Sequence, residues 1–238
     1  MKITSPQNEK LKLVRRLGRR RARDRDGLFV GEGEDLLAAA RDAGAEPVEL
    51  LTAAGEGLGG TEVEPELLAR FSALGSGTRA IGVWRQQWAG EPSEPCVYLH
   101  GVSDPGNVGA IVRTAAALVG GSVVLGPDCA DPYGPRAVRA SMGAVFSEPL
   151  VRGALETTPE PRAALVAHGG ETLERLSGMT TLCLGAEREG LPGEVLEACE
   201  AVVTIPVRPG VESLNVTAAA AIALQRIASG DAGGGAGG

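Results

Sequence analysis

The chain has 238 residues, 43% of them hydrophobic, a mean hydropathy of +0.03 and a formal net charge of −7, which fits one large or two modest domains with real cores and excludes a disordered chain. No apolar run approaches the roughly 18 residues of a membrane span and no secretion-signal pattern opens the sequence, so a cytoplasmic protein is expected. Four cysteines without a CxxC pair and only two histidines argue for reduced core thiols and leave little for a zinc centre, a disulfide framework or a His-based triad.

Residues 6–25 read as a helix, with Leu11, Val14 and Leu17 on one face. The same segment carries Lys10, Lys12, Arg15, Arg16, Arg19, Arg20, Arg21, Arg23 and Arg25, while the acidic residues are spread over the remainder. A run of one sign on a net-acidic chain predicts a phosphate-contacting surface, with Arg15, Arg16, Arg19, Arg20, Arg21 and Arg23 as RNA-binding candidates. The alternative is a solubilising helix face. Aromatics at 3% leave little for base stacking, so contacts to shape and backbone are expected.

A strand at 28–30, a Gly-Glu-Gly turn, a helix at 35–43, a strand at 48–51, a helix opened by Pro65 and running through Ser72, and a strand at 80–84 complete a small α/β unit, residues 1–84. Gly55, Gly57 and Gly60 satisfy G-x-G-x-x-G after a strand, but no helix opens on them, so the match reads as a surface loop. The polar, proline-bearing segment 85–95 reads as a linker.

From Cys96 strands and helices alternate. Strands are expected at 97–100, 123–125, 164–167, 181–184 and 202–207, and helices at 108–119, 135–142 and 192–199. A final helix starts at Val216, N-capped by Asn215, and is rich in alanine. This alternation predicts a parallel sheet with helices on both faces over residues 96–229. Ligands in such sheets sit beyond the carboxyl ends of strands, which directs attention to the loops after His100, Leu184 and Val207. The tail 230–238 is expected to be flexible.

In the first loop Asp104-Pro-Gly is a turn, Asn107 is placed to cap the helix, and Arg113 follows within two turns. The second, Leu184-Gly-Ala-Glu-Arg-Glu-Gly-Leu191, sets Glu187 between Gly185 and Gly190; no Gly-Lys-Ser/Thr follows, so nothing supports ATP as a substrate. The third runs from Ile205-Pro206 to Ser213-Leu-Asn-Val216. In order and spacing, these stretches closely resemble the three signature motifs of the SpoU (TrmH-type) branch of the SPOUT RNA methyltransferases. The segment from Asp131-Pro-Tyr to Phe146 is similar to that family's intermotif segment, and Thr4-Ser-Pro with Phe29-Val-Gly-Glu-Gly33 to its ribosomal-protein-like substrate-binding domain.

The resemblance implies an α/β fold with a carboxyl-terminal trefoil knot, S-adenosyl-L-methionine as cofactor, and a homodimer packed through the knotted domain, where the alanines at 218–221 permit close helix approach; no metal is expected from the two histidines and scattered cysteines. It implies that Gly185, Gly190, Ile205, Leu214 and Ala167 surround the cofactor and that Asn107, Arg113, Glu187, Ser213 and Asn215 form the catalytic set. The expected activity is methyl transfer to a ribose 2′-hydroxyl, with 23S ribosomal RNA favoured over a tRNA. An antibiotic-resistance rRNA enzyme and a non-catalytic RNA-binding factor are the other readings. A guanidinium titrates above about pH 12, so Arg113 is expected to grip a neighbouring phosphate and polarise the 2′-oxygen, with a phosphate or solvent taking the proton. Asn107 is expected to orient Arg113 or the ribose, Ser213 and Asn215 to bind the target nucleotide or hold the loops together, and Glu187 either to act in the site or to brace the knot.

Overall fold

The computed structural model describes residues 2–73 and 77–232, with side chains to Ser229. In chain order the elements are α1 (Glu9–Leu17), α2 (Arg20–Asp26), β1 (Leu28–Glu32), α3 (Glu34–Asp42), β2 (Glu49–Ala53), β3 (Thr61–Val63), α4 (Pro65–Ala69), β4 (Ala80–Arg85), β5 (Cys96–Leu99), α5 (Pro105–Leu118), β6 (Ser122–Leu125), α6 (Pro135–Ser141), β7 (Leu150–Arg152), β8 (Arg162–Val166), β9 (Thr181–Leu184), α7 (Gly193–Glu197), β10 (Ala201–Thr204) and α8 (Val216–Ala232). They form two compact units, residues 1–87 with 131–147, and residues 88–130 with 148–238.

The first unit is a four-stranded sheet in the order β1-β4-β2-β3; β4 runs antiparallel to both neighbours and β2 parallel to β3. Leu11, Val14 and Leu17 are buried as their spacing predicts, together with Leu51, Val63, Leu68, Ile81 and Val83. The basic segment is two helices, not one. α1 ends at Gly18, and the Leu17 carbonyl, left without an intrahelical donor, accepts from Arg23 Nη1 at 2.8 Å.

Glycine has a packing purpose at Gly31 and Gly82, which pair across β1 and β4. A Cβ at Gly82 would lie 2.6 Å from Trp84 Cζ2, and one at Gly31 2.9 Å from Trp84 Cζ3, so the indole rests on the two bare backbones. Phe29 lies 4.8 Å from Tyr133, 5.6 Å from Phe146 and 6.0 Å from Trp84, ring centre to ring centre. This aromatic cluster is why residues 131–147 belong to the first unit, although the sequence reading assigned them to 96–229. The segment 85–95 is likewise more ordered than a linker: Tyr133 Oη donates to the Gln87 carbonyl at 2.5 Å, and Ala89 N–H donates to the Leu150 carbonyl at 2.8 Å.

The second unit is a six-stranded, fully parallel sheet in the order β10-β8-β9-β5-β6-β7. This is the α/β parallel-sheet fold expected from the alternation. β10 is an edge strand, yet α8 packs back against α5, the helix that follows the interior strand β5. α8 continues past Gly230 to Ala232 where a flexible tail was expected; residues 233–238 lie outside the described residues. Cys96, Cys129 and Cys183 are buried free thiols, and burial pushes Cys96 up to about 12. Half-buried Cys199 lies with its sulfur 3.8 Å from that of Cys183.

The glycines of the G-x-G-x-x-G match open no helix. Gly55, Gly57 and Gly60 have φ of +89°, +67° and +72° in the loop between β2 and β3.

Candidate active site

Because the six strands are parallel, β8, β9 and β10 end on the same edge of the sheet, at Val166, Leu184 and Thr204. The chain beyond β9 doubles back at once: Ala186 N–H donates to the Gly190 carbonyl at 3.2 Å, and Gly190 N–H to the Ala186 carbonyl at 3.0 Å. Both glycines are required by this turn. Gly190 has φ +70°, and a Cβ on Gly185 would sit 2.5 Å from the Leu191 nitrogen. The two ends of the loop therefore touch backbone to backbone, and Glu187, Arg188 and Glu189 project from its tip, exposed.

A cavity of about 280 Å3 opens beside this loop. Leu165, Val166 and Ala167 form one wall, residues 184–191 a second, and Ile205, Val207, Ser213, Leu214, Val216 and Ala219 a third. All five positions expected at the cofactor, Ala167, Gly185, Gly190, Ile205 and Leu214, line it, as do Glu187 and Ser213. The walls are mainly apolar, as suits an adenine ring, and the loop tip carries charges of both signs, as suits a zwitterionic ligand with a sulfonium. These residues fit S-adenosylmethionine.

At the mouth of the cavity the three motif loops are tied together by side chains. Asn107 donates from Nδ2 to Glu187 Oε1. Its Oδ1 accepts from Asn215 Nδ2 at 3.3 Å and from the Thr217 hydroxyl at 3.2 Å. Asn215 Oδ1 in turn accepts from Thr217 N–H at 2.9 Å, the N-cap bond of α8. Asn107 does not cap α5, as its position suggested. Asp104 does so, accepting from Asn107 N–H at 3.1 Å with Pro105 in the first turn. The Asn107 side chain is thereby free to reach the other two motifs, some 80 and 108 residues further along the chain.

Arg113 lies further along α5, exposed. Among the described residues no hydrogen bond or ion pair joins it to Asn107, so the expected orientation of Arg113 by Asn107 is not seen; Asn107 is engaged with Glu187, Asn215 and Thr217 instead. Ser213 lines the cavity without joining that network. Among the described residues there is no group of three His, Cys, Asp or Glu side chains able to hold a metal ion, and no helix is long and apolar enough to cross a membrane.

The basic candidates separate in the structure. Arg15, Arg19 and Arg21 are exposed. Arg16 pairs with Asp26 at 3.0 Å and Arg20 with Asp24 at 3.6 Å, both at the surface. Arg23 is a correction. It is only 4% exposed, with Nε and Nη2 held at 2.9 and 2.7 Å by Asp131 Oδ2, itself buried. All of its bonding is internal, so it leaves the RNA-binding set.

Thr217 and Asp104 were missed as site-organising residues. Asp-Pro ahead of a helical run is a legible cap signal. Thr217 gives no signal, because threonine at the start of an alanine-rich helix reads as filler.

The model of the SpoU rRNA Methylase family matches residues 94–225, and that of the MRM3-like substrate binding domain matches residues 8–83. An uncharacterised tRNA/rRNA methyltransferase from Synechocystis is 30% identical over 250 residues, spanning 93% of this chain and 91% of the relative. An AdoMet-bound rRNA methyltransferase from Sinorhizobium meliloti superposes with a TM-score of 0.84 at 27% identity, covering 95% of this chain and 96% of the other. A solved RNA 2′-O ribose methyltransferase gives a TM-score of 0.78 at 28% identity, covering 95% and 97%.

Proposed function

The chain belongs to the SpoU rRNA methylase family of RNA methyltransferases, which use S-adenosylmethionine, and from that membership we propose that it methylates a ribose 2′-hydroxyl, with 23S ribosomal RNA the favoured substrate. The observation that carries this reading is the meeting of Asn107, Glu187 and Asn215 at the mouth of a cavity lined by Gly185, Ile205 and Leu214. A non-catalytic RNA-binding factor has no use for such an arrangement. The names of the solved relatives, an rRNA methyltransferase and an RNA 2′-O ribose methyltransferase, support the choice of polymer and acceptor atom.

Bound in the cavity, S-adenosylmethionine supplies a methyl group on a sulfonium, transferred by in-line attack. What remains for the protein is alignment and the handling of one proton. Arg113, exposed on α5, grips a phosphate of the target RNA and polarises the 2′-oxygen with its fork of donors; phosphate or solvent takes the proton. Ser213, on the cavity wall, contacts the target nucleotide. Asn107 and Asn215 hold the motif loops in register, and Glu187 braces the loop at 185–191. The first unit presents Arg15, Arg19 and Arg21 to RNA phosphates, which position the polymer without specifying its sequence. The enzyme acts in the cytoplasm as a homodimer packed through the knotted domain.

The test is nucleoside mass spectrometry of ribosomal RNA and tRNA, kept separate, after incubation with the protein and isotopically labelled S-adenosylmethionine. Label in a 2′-O-methyl nucleoside of ribosomal RNA is the expected result. Label only in tRNA would transfer the substrate assignment, and label only on a base would refute the ribose assignment.

A further inference from the structure

We propose that Thr217 is the positioning residue of the cofactor cavity, acting through Asn107 to hold the loop at 185–191 closed. The inference shares the cofactor cavity with the function proposed above but does not depend on the ribose hydroxyl being the acceptor.

An asparagine amide has two ends of nearly equal shape, and its partners decide which points where. Asn107 must present Nδ2 to Glu187 if the loop is to be tied down, so Oδ1 must face donors. Both donors trace to Thr217. Its hydroxyl donates to Asn107 Oδ1 directly, at 3.2 Å. Its backbone N–H engages Asn215 Oδ1 at 2.9 Å, which turns Asn215 Nδ2 towards the same Asn107 oxygen at 3.3 Å. Thr217 is half-buried while Asn215 and Glu187 are exposed, so it is the most sheltered of the three residues around Asn107. One residue in the first turn of α8 therefore fixes the orientation of two amides and, through them, a carboxylate on another loop.

The consequence falls on ligand binding, because what is tied down is a cavity wall. Within residues 185–191 the Ala186–Gly190 pair of backbone hydrogen bonds closes the loop on itself. Without the bond from Asn107 to Glu187 the loop samples open positions, and the apparent dissociation constant rises by the reciprocal of the closed fraction. Thr217 does not itself line the cavity, so its effect on ligand binding runs through Asn107.

Thr217→Val removes the hydroxyl but keeps the shape and the backbone N–H; Thr217→Ser restores the hydroxyl. Calorimetry with S-adenosylhomocysteine is expected to show binding weakened about tenfold in Thr217→Val and within about twofold of the parent in Thr217→Ser, when roughly a tenth of the Thr217→Val molecules remain closed. KM for S-adenosylmethionine should rise in parallel in Thr217→Val and return in Thr217→Ser, and the unfolding midpoint should move by no more than about 2 °C in either variant. Parent-like affinity in Thr217→Val, or equal loss in both variants, would overturn the proposal. Failure of the ribose assignment would appear in the labelled nucleosides and leave these affinities untouched.

Discussion

Two polar pairs in this molecule each join residues 108 positions apart, and their surroundings are opposite. Arg23 and Asp131 are sealed in the first unit, each side chain about 5% exposed. Asn107 and Asn215 meet at the open mouth of the cavity in the second unit. The difference teaches that hydrogen bonding of similar reach does two kinds of work. A buried charged pair is felt mainly when it is broken, because the surviving charge is stranded in a medium that cannot solvate it. A solvent-facing amide network contributes little to stability, since water replaces each lost partner, and it acts by selecting one arrangement of loops.

Breaking the buried pair should give the largest effect. Arg23→Ala leaves the buried Asp131 side chain without its partner, at an expected cost of about 3–5 kcal/mol, read as a lowered urea midpoint. An unchanged midpoint would return Arg23 to the surface set. Next in size is Arg113→Ala, expected to lower kcat by about 10²- to 10³-fold with cofactor affinity preserved. Arg113→Lys should remain impaired, because an ammonium cannot reproduce the two-pronged grip; near-full activity in the lysine variant would end the alignment role.

Smaller effects should follow at the surface. Replacing Arg15, Arg19 or Arg21 by Ala should each lower the slope of log affinity against log salt by about one or less, uniformly across RNA sequences. Arg16→Ala and Arg20→Ala should do less, because Asp26 and Asp24 already hold those side chains. If all five behaved alike, surface ion pairing would not distinguish the cations that meet RNA from those that do not.

The loops after β5, β9 and β10 were legible from the alternation of elements, because parallel strands must deliver them to one edge, whereas the site residues on them were legible only through the resemblance to the SpoU motifs. The alternation of elements that predicts this edge also predicted the cavity position, and the glycines of the second motif pointed to the backbone contact found at Gly185. Other features were hidden for physical reasons. Arg23 looks like its neighbours in a basic run, and only folding brings Asp131 to it. Residues 131–147 read as part of the second half because they lie inside it along the chain, whereas the stacking of Tyr133 and Phe146 on Phe29 is a tertiary fact. β3 and β7 are three residues each, too short for a two-residue period to declare itself. The break at Gly18 falls where the apolar stripe of Leu11, Val14 and Leu17 gives way to the arginine run, and a lone glycine between two helix-forming stretches does not announce two helices.

If Asn107 and Glu187 close the cofactor cavity as one unit, losing either side chain forfeits what both provide. A double-mutant cycle on Asn107→Ala and Glu187→Ala, read as the dissociation constant for S-adenosylhomocysteine, tests it most directly. The double variant is expected to bind no more weakly than the worse single variant, a coupling of about 1 kcal/mol. Losses that multiply would show that the two side chains act independently and would rule out their joint closure of the cavity.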